Sequence, residues 1–148
     1  MLKFIVRGML SLMVSLYRTT GGRLVGKVQG LPVLLLTTTG RKSGKLRTVP
    51  LVYLRDGSTY VIIAAYGGLP RHPAWFFNLQ SHPEATVQVK KVQMQVTAEV
   101  ANPEKKRELW ARLLEVAPSI ANYQKRTSRE IPMVILHPRD ELREKGLA

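Results

Sequence analysis

The densest chemistry in the chain lies in Gly40-Arg41-Lys42-Ser43-Gly44-Lys45-Leu46-Arg47, where four basic side chains and two glycines share eight positions. Arg41 and Arg47 can each grip an oxyanion bidentately, while Lys42 and Lys45 add point charges. The glycines allow a tight turn that presents N–H groups, and Ser43 with Thr37, Thr38 and Thr39 adds hydroxyls. The pattern suits a cradle for phosphate or carboxylate; a solvated, positively charged hairpin loop is the plainer alternative. It is not a nucleoside-triphosphate loop. Three residues separate Gly40 from Gly44, Leu46 follows Lys45, and the next segment reads as strand, not helix.

A second segment, His72-Pro73-Ala74-Trp75-Phe76-Phe77-Asn78-Leu79, places three aromatics in a row beside an amide. Such a row can wall a planar ring with Asn78 bonding at its side, or it can fill a core. Gly67-Gly68 just upstream permits either close approach of a ligand or an ordinary turn at a strand end. In Ser119–Arg129, Tyr123 stands among small and polar residues, as a proton donor or as a half-buried structural tyrosine.

Other chemistries are excluded. The chain has no cysteine, which removes disulfides, thiolate metal sites and thiol nucleophiles. His72, His82 and His137 show no ligand spacing, and each is followed by proline, so no metal site is expected. Net charge is +13, and residues 1–55 hold ten Lys or Arg but no Asp or Glu. An asymmetry of this kind points to an anionic partner for the first third of the chain.

These residues need elements to position them. A length of 148 residues with 45% hydrophobic content fits one domain with one core. Residues 1–18 recur as Leu2, Ile5, Met9, Leu12, Met13 and Leu16, the spacing of a helix. This helix either packs on the body or lies on lipid with Lys3, Arg7 and Arg18 near headgroups; it is too short and charged to span a membrane. The glycines at 21–22 end it, dividing residues 1–22 from a domain at 23–148. Strands are expected at 32–39, 48–54 and 58–65, with Asp56-Gly57 as a hairpin turn. A short helix at 73–80 follows. Two strands then lie within 84–101, with the alternation slipping phase at Lys90-Lys91. Asn102-Pro103-Glu104 starts a helix whose inner face is Leu109, Trp110, Leu113, Leu114 and Ala117. A short helical piece at 119–125, a strand at 132–136 and a charged, solvated tail complete the chain. Neighbouring strands with a hairpin signal imply a mainly antiparallel β-barrel with flanking helices.

In this order, LLLTTTGRKSGKLRTVPL (34–51), the glycine pair at 67–68, HPAWFFNL (72–79) with His82-Pro83, and IPMVILHP (131–138) resemble the deazaflavin (F420)-dependent nitroreductase and F420H2-dependent quinone reductase family of actinobacteria. The resemblance covers roughly residues 31–138. It implies a split β-barrel like that of FMN-binding oxidases, and hydride transfer from reduced coenzyme F420 to a small organic acceptor: a quinone, an enone or a nitro compound. It assigns the coenzyme's phosphate and oligoglutamate tail to Arg41, Lys42, Ser43 and Arg47. Thr48, Val49, Pro50, Leu51 and Val52 would line the deazaflavin side, as would Ile63, Ala64, Ala65 and Tyr66 and Ala74, Trp75, Phe76, Phe77 and Asn78. The nitroreductase that names the family has Ser-Lys where this chain has Ala65-Tyr66. Its three pocket tyrosines correspond to Ala117, Ile120 and Tyr123, leaving Tyr123 as the expected catalytic proton donor.

An acid-free cationic cradle suits a tail of one phosphate and several carboxylates better than the single phosphate of FMN, which makes an FMN-binding barrel the second reading. A non-catalytic basic module for anionic membrane or nucleic acid is the third. Only 7% of residues are aromatic, and Gly, Ser and Thr, not stacking residues, interleave the motif's cations, so nucleic acid is not expected. The expected location is cytoplasmic, with peripheral contact on the inner face of the membrane if residues 1–18 meet lipid.

Overall fold

The computed structural model describes residues 2–23, 27–28, 30–65, 68 and 70–139. Tyr66, Gly67 and the tail beyond 139 lie outside the described residues, as do the side chains of Lys3 and Arg7. The helices are α1 (Leu2–Thr20), α2 (Ala74–Ser81), α3 (Pro103–Val116) and α4 (Ala121–Lys125), with a 3-10 turn at Pro118–Ile120. The strands are β1 (Lys27–Val28), β2 (Leu31–Thr39), β3 (Leu46–Asp56), β4 (Thr59–Ile63), β5 (Glu84–Val89), β6 (Val92–Val100) and β7 (Met133–Pro138).

All pairings are antiparallel, in the order β1-β2-β3-β4-β7-β6-β5, and β2 pairs again with β5. Strands β2 to β7 thereby close a six-stranded barrel, and β1 is a short ribbon on β2. Two residues are too few to show a period, so β1 has no sequence signal.

The barrel explains the unbroken run Val33-Leu34-Leu35-Leu36. Successive side chains on a strand point to opposite faces. Leu34 and Leu36 enter the interior with Tyr53, Tyr60, Ile62, Val87, Val96 and Leu136, and α2 plugs it with Trp75, Phe76 and Leu79. Val33 and Leu35 face outward under Val14 and Tyr17 of α1. On the opposite side, Leu109 and Leu113 of α3 cover Leu54, Val61, Met133 and Ile135. Trp110 and Leu114, expected on that inner face, are half-buried at its flank.

Local signals act as expected, with small shifts. The α1 helix runs two residues past Arg18, and Gly21 and Gly22 then turn it with φ of 63° and 84°. The Gly22 N–H closes the helix end on the Tyr17 carbonyl at 3.1 Å. Pro73 is the cap before α2, not its first helical residue. Asn102 caps α3 as read, its side chain accepting from the Lys105 N–H at 2.8 Å, with Pro103 next. The phase slip at 90–91 is a hairpin turn in which Lys90 adopts φ 55°. The Lys90 N–H donates to the Tyr17 hydroxyl at 2.7 Å, so α1 is pinned to this turn.

One feature of β3 prepares the site. Its residues Leu46–Val52 pair with β2, and only Tyr53–Asp56 pair with β4. Among the described residues, no strand pairs with the other edge of 46–52. Pro50, with no N–H to donate, sits within this half-open stretch.

Candidate functional site

The basic segment is the β2–β3 turn. Gly44 takes φ 71°, and a Cβ on Gly40 would stand 2.7 Å from Ser43 Oγ. The glycines therefore serve the turn itself. The Gly40 N–H donates to the Lys45 carbonyl and the Gly44 N–H to the Gly40 carbonyl, both at 2.8 Å. The Lys45 N–H donates to Ser43 Oγ at 3.2 Å. Three of the six backbone donors from Gly40 to Lys45 are thus spent within the loop, which reduces the expected N–H cradle. What the loop offers is side chains, for residues 41–47 are all exposed.

A buried amide ties this loop to the barrel. Asn78 on α2 accepts from the Arg41 N–H through Oδ1 and donates through Nδ2 to Thr38 Oγ1, each at 3.0 Å. Asn78 and Thr38 are the buried polar side chains of the described core. Asn78 thereby fixes the loop, a role additional to its expected place beside a ligand ring. The Arg41 guanidinium lies over the Phe77 ring, 4.4 Å from its centre.

Below the loop, a cleft of about 680 Å³ opens between α1, the start of β3 and α2. Arg47, Thr48, Val49, Ala74, Trp75 and Asn78, all expected site residues, line it. Arg41, Lys42 and Ser43 stand on the turn joining its Thr38 and Leu46 walls. Leu51 points into the barrel, and Val52 packs on the outer clusters. Ile63 packs on the α3 side, while Ala64 and Ala65 are buried at the end of β4. Of the three aromatics, Trp75 alone lines the cleft: Phe76 plugs the barrel and Phe77 supports Arg41.

The far group of expected residues is not at this cleft. Ala117 and Ile120 are 1% and 0% exposed within the cluster under α3, so they have no surface to present to an acceptor. Tyr123 packs half-buried against the same cluster. Gly68, read as making room for a ligand, makes room for α4. A Cβ there would lie 2.9 Å from the Tyr123 carbonyl and 2.8 Å from Arg126 Cβ.

Sequence reasoning missed two things. The first is the α1 wall of the cleft: Leu10, Ser11, Val14, Ser15 and Arg18. Their spacing marks one helix face, and a polar row within an apolar helix was the available signal. The second is Arg129, whose guanidinium donates to the Ala64 and Ala65 carbonyls at 3.0 and 2.7 Å and meets His72 Nδ1 at 2.9 Å. Arginine only donates, so His72 must present a lone pair at Nδ1. Burial first, and the guanidinium second, hold His72 below the usual imidazole range.

Charge is segregated. Among the described residues, no Asp or Glu lines the cleft. The first acid of the chain, Asp56, sits on the β3–β4 hairpin and binds Arg112 at 2.7 Å and Lys105 at 3.2 Å on α3. The Arg112 hydrogen bond foremost, and Lys105 after it, hold its carboxyl below the usual range.

The sequence profile of the F420H(2)-dependent quinone reductase family matches residues 9–138. An F420H(2)-dependent quinone reductase of Mycobacterium tuberculosis is 41% identical over 128 residues, 82% of this chain and 85% of that protein. The solved structure of an F420-H2 dependent reductase is 38% identical, with a TM-score of 0.66 over 72% of this chain and 94% of its own. A structure described as a domain-swapped dimer is 34% identical, with a TM-score of 0.69 over 93% of this chain and all of its own.

Proposed function

Because this chain belongs to the F420H(2)-dependent quinone reductase family, we propose that its cleft binds reduced coenzyme F420 and passes hydride from it to a quinone-type acceptor. The observation that carries the reading is the donor set. Arg18 and Arg47 line the cleft, Arg41, Lys42 and Lys45 stand on the adjoining turn, and among the described residues no carboxylate lines the cleft to oppose them. This fits a tail of one phosphate and several carboxylates. The coenzyme, when bound, supplies the hydride, and the protein binds, orients and protonates.

Arg41, Lys42, Ser43 and Arg47 would hold the anionic tail. Val49, Ala74 and Trp75 give an apolar floor for a planar ring, and the half-open edge of β3 leaves backbone groups facing the same space. The Thr48 hydroxyl, 2.7 Å from Thr37 Oγ1, is held in place on this edge. Tyr123 packs beside α3 and does not line this cleft, so for it to deliver the proton that follows hydride the acceptor would have to enter from the α4 side. The site is tested by titration with F420 and FMN at low and high salt. F420 should bind preferentially and more weakly as salt rises. Lys42→Ala or Arg47→Ala should cost about 1–3 kcal/mol of binding. Equal affinity for F420 stripped of phosphate and glutamates would refute the reading.

A quinone acceptor is apolar and partitions into lipid, and the outer face of α1 suits contact with that phase. Met9 and Leu12 are 60% and 59% exposed on it, while Val14 and Tyr17 pack inward. No described helix is long and apolar enough to cross a membrane. The two early readings of α1 therefore combine: one face packs on the barrel, and the other is proposed to rest on anionic lipid. Met9→Ser with Leu12→Ser should abolish sedimentation with anionic vesicles and leave the fold intact. Truncation to Thr19 is a poorer test, for it bares Val33 and Leu35 at about 1.5–3 kcal/mol each.

A further inference from the structure

The cleft has two walls drawn from distant parts of the sequence. One is the β2–β3 region with α2, which holds the basic motif. The other is α1, where Ser11, Ser15 and Arg18 follow one another at steps of four and three residues. Such steps stack side chains along one helix face. All three are exposed on a helix whose other residues from 9 to 16 are apolar. A helix that served only to pack or to lie on lipid would gain nothing from a polar row turned toward a cleft.

Arg18 ends the row. Its Nη2 donates to Thr48 Oγ1 at 3.2 Å, across the cleft from its own helix. A guanidinium carries five N–H donors, so one bond to a hydroxyl leaves most of its capacity for an anion. Thr48 is the neighbour of Arg47 on β3, and both side chains line the same space as Arg18. The Thr48 bond thus sets the direction of the guanidinium before any ligand arrives.

Resting on the reading of the cleft as a coenzyme site, we propose that Arg18 is a second-wall ligand for the phosphate or carboxylate oxygens of the coenzyme, opposite Arg47. The anionic segment is gripped from both sides, and α1 is part of the binding site. The bond to Thr48 is the ligand-free position of the guanidinium; bidentate pairing with an oxyanion replaces or supplements it. Membrane contact by the outer face of α1 would then act on the same helix that completes the coenzyme site.

The test compares the full-length protein with Arg18→Gln, Arg18→Lys, Thr48→Val and Arg47→Gln. Binding is read from quenching of tryptophan fluorescence, since Trp75 lines the cleft. The probes are F420 and its deazaflavin riboside lacking phosphate and glutamates, each at low and high salt. Glutamine keeps an N–H donor for Thr48 but removes the charge. Arg18→Gln should weaken F420 binding roughly ten- to a hundredfold, the worth of hydrogen bonds to charged groups. The loss should shrink at high salt, riboside binding should stay within about twofold, and the melting temperature should hold. Arg18→Lys should recover part of the affinity, having charge without the bidentate fork. Thr48→Val, which frees Arg18 without removing it, should bind F420 more tightly than Arg18→Gln does. Two results overturn the proposal while sparing the coenzyme reading. One is F420 affinity within twofold of wild type in Arg18→Gln while Arg47→Gln fails. The other is equal loss in Arg18→Gln and Thr48→Val, which makes Arg18 only a tie between α1 and β3. Failure of the unaltered protein to bind F420 removes both readings together.

Discussion

Replacing Asn78 by Leu keeps its size and deletes both halves of the tie between α2, β2 and the basic turn. The Arg41 N–H loses its acceptor and Thr38 Oγ1 loses its donor, each from a 3.0 Å bond. Thr38 is only 1% exposed, so water cannot replace the lost partner. Leaving a buried polar group unsatisfied costs about 1–3 kcal/mol, and the half-exposed Arg41 amide adds less. A total near 2–3 kcal/mol lowers the melting temperature by about 4–12 °C for a chain of this size. Adding Thr38→Val removes the orphaned hydroxyl, so the double variant should recover about 1 kcal/mol relative to Asn78→Leu. Asn78→Asp separates the loop's position from its charge. Its carboxylate accepts from the Arg41 N–H and from the Thr38 hydroxyl, so the fold holds, but it puts a negative charge in the anion cleft. That variant should melt near wild type and bind F420 at least about tenfold more weakly, a difference of some 1.4 kcal/mol. Thermal melts with coenzyme titrations of the four proteins check this. An Asn78→Leu protein that melts within a degree of wild type and binds F420 normally would refute the tie.

Four further expectations follow from named residues. Tyr123→Phe should leave F420 binding intact and lower menadione turnover by roughly 10²–10⁴-fold, the usual worth of a positioned general acid; wild-type rates in steady-state oxidation of reduced F420 would reduce Tyr123 to packing. His72 is held below its ordinary value, so the unfolded chain binds more protons than the native one just below pH 6.5. Stability should therefore fall as pH drops from about 6.5 toward the depressed folded value, and urea melts of His72→Gln should lose that component. Arg129→Met should let the His72 titration move back up, as followed by NMR, because the guanidinium is one of its two depressing causes. Lys90 sits at φ 55° without being glycine, so Lys90→Gly should raise the melting temperature by about 1–4 °C through relief of backbone strain; a lower value would mean that side-chain contacts of Lys90 outweigh the strain.

The elements were legible where local chemistry decides them. Asn102-Pro103 starts α3, Asp56-Gly57 turns β3 into β4, and the broken alternation at Lys90-Lys91 marks a hairpin, because each is a short-range event. Barrel closure was legible only as a class, since the β2–β5 pairing joins segments some fifty residues apart. At the site, charge asymmetry led to the basic turn, and the family resemblance led to Arg47, Thr48, Ala74, Trp75 and Asn78, which the structure brings to one cleft. Neither showed that Asn78 also ties the turn to the barrel, because a spacing rule does not show which hydrogen-bond partners are already taken. The α1 wall was hidden for a related reason: the apolar period of the helix drew attention away from Ser11, Ser15 and Arg18. Ala117 and Ile120 were placed by correspondence with another protein's tyrosines, and small apolar side chains at such positions sink into the core instead.

The half-open stretch of β3 has a consequence beyond ligand access. An exposed strand edge is a template on which another chain can add a strand, and such edges seed self-association. Two properties of Leu46–Val52 oppose that. Pro50 offers no N–H to a newcomer, and Arg47, with the cations of the adjoining turn, repels a second copy presenting the same edge. The cations assigned to the coenzyme would thus also oppose edge-to-edge association while the cleft is empty. A bound polyanion would cancel that repulsion and cover the edge in the same event. Neutralising several of these cations at once should therefore lower solubility as well as affinity, and light scattering of such variants with and without coenzyme would separate the two losses.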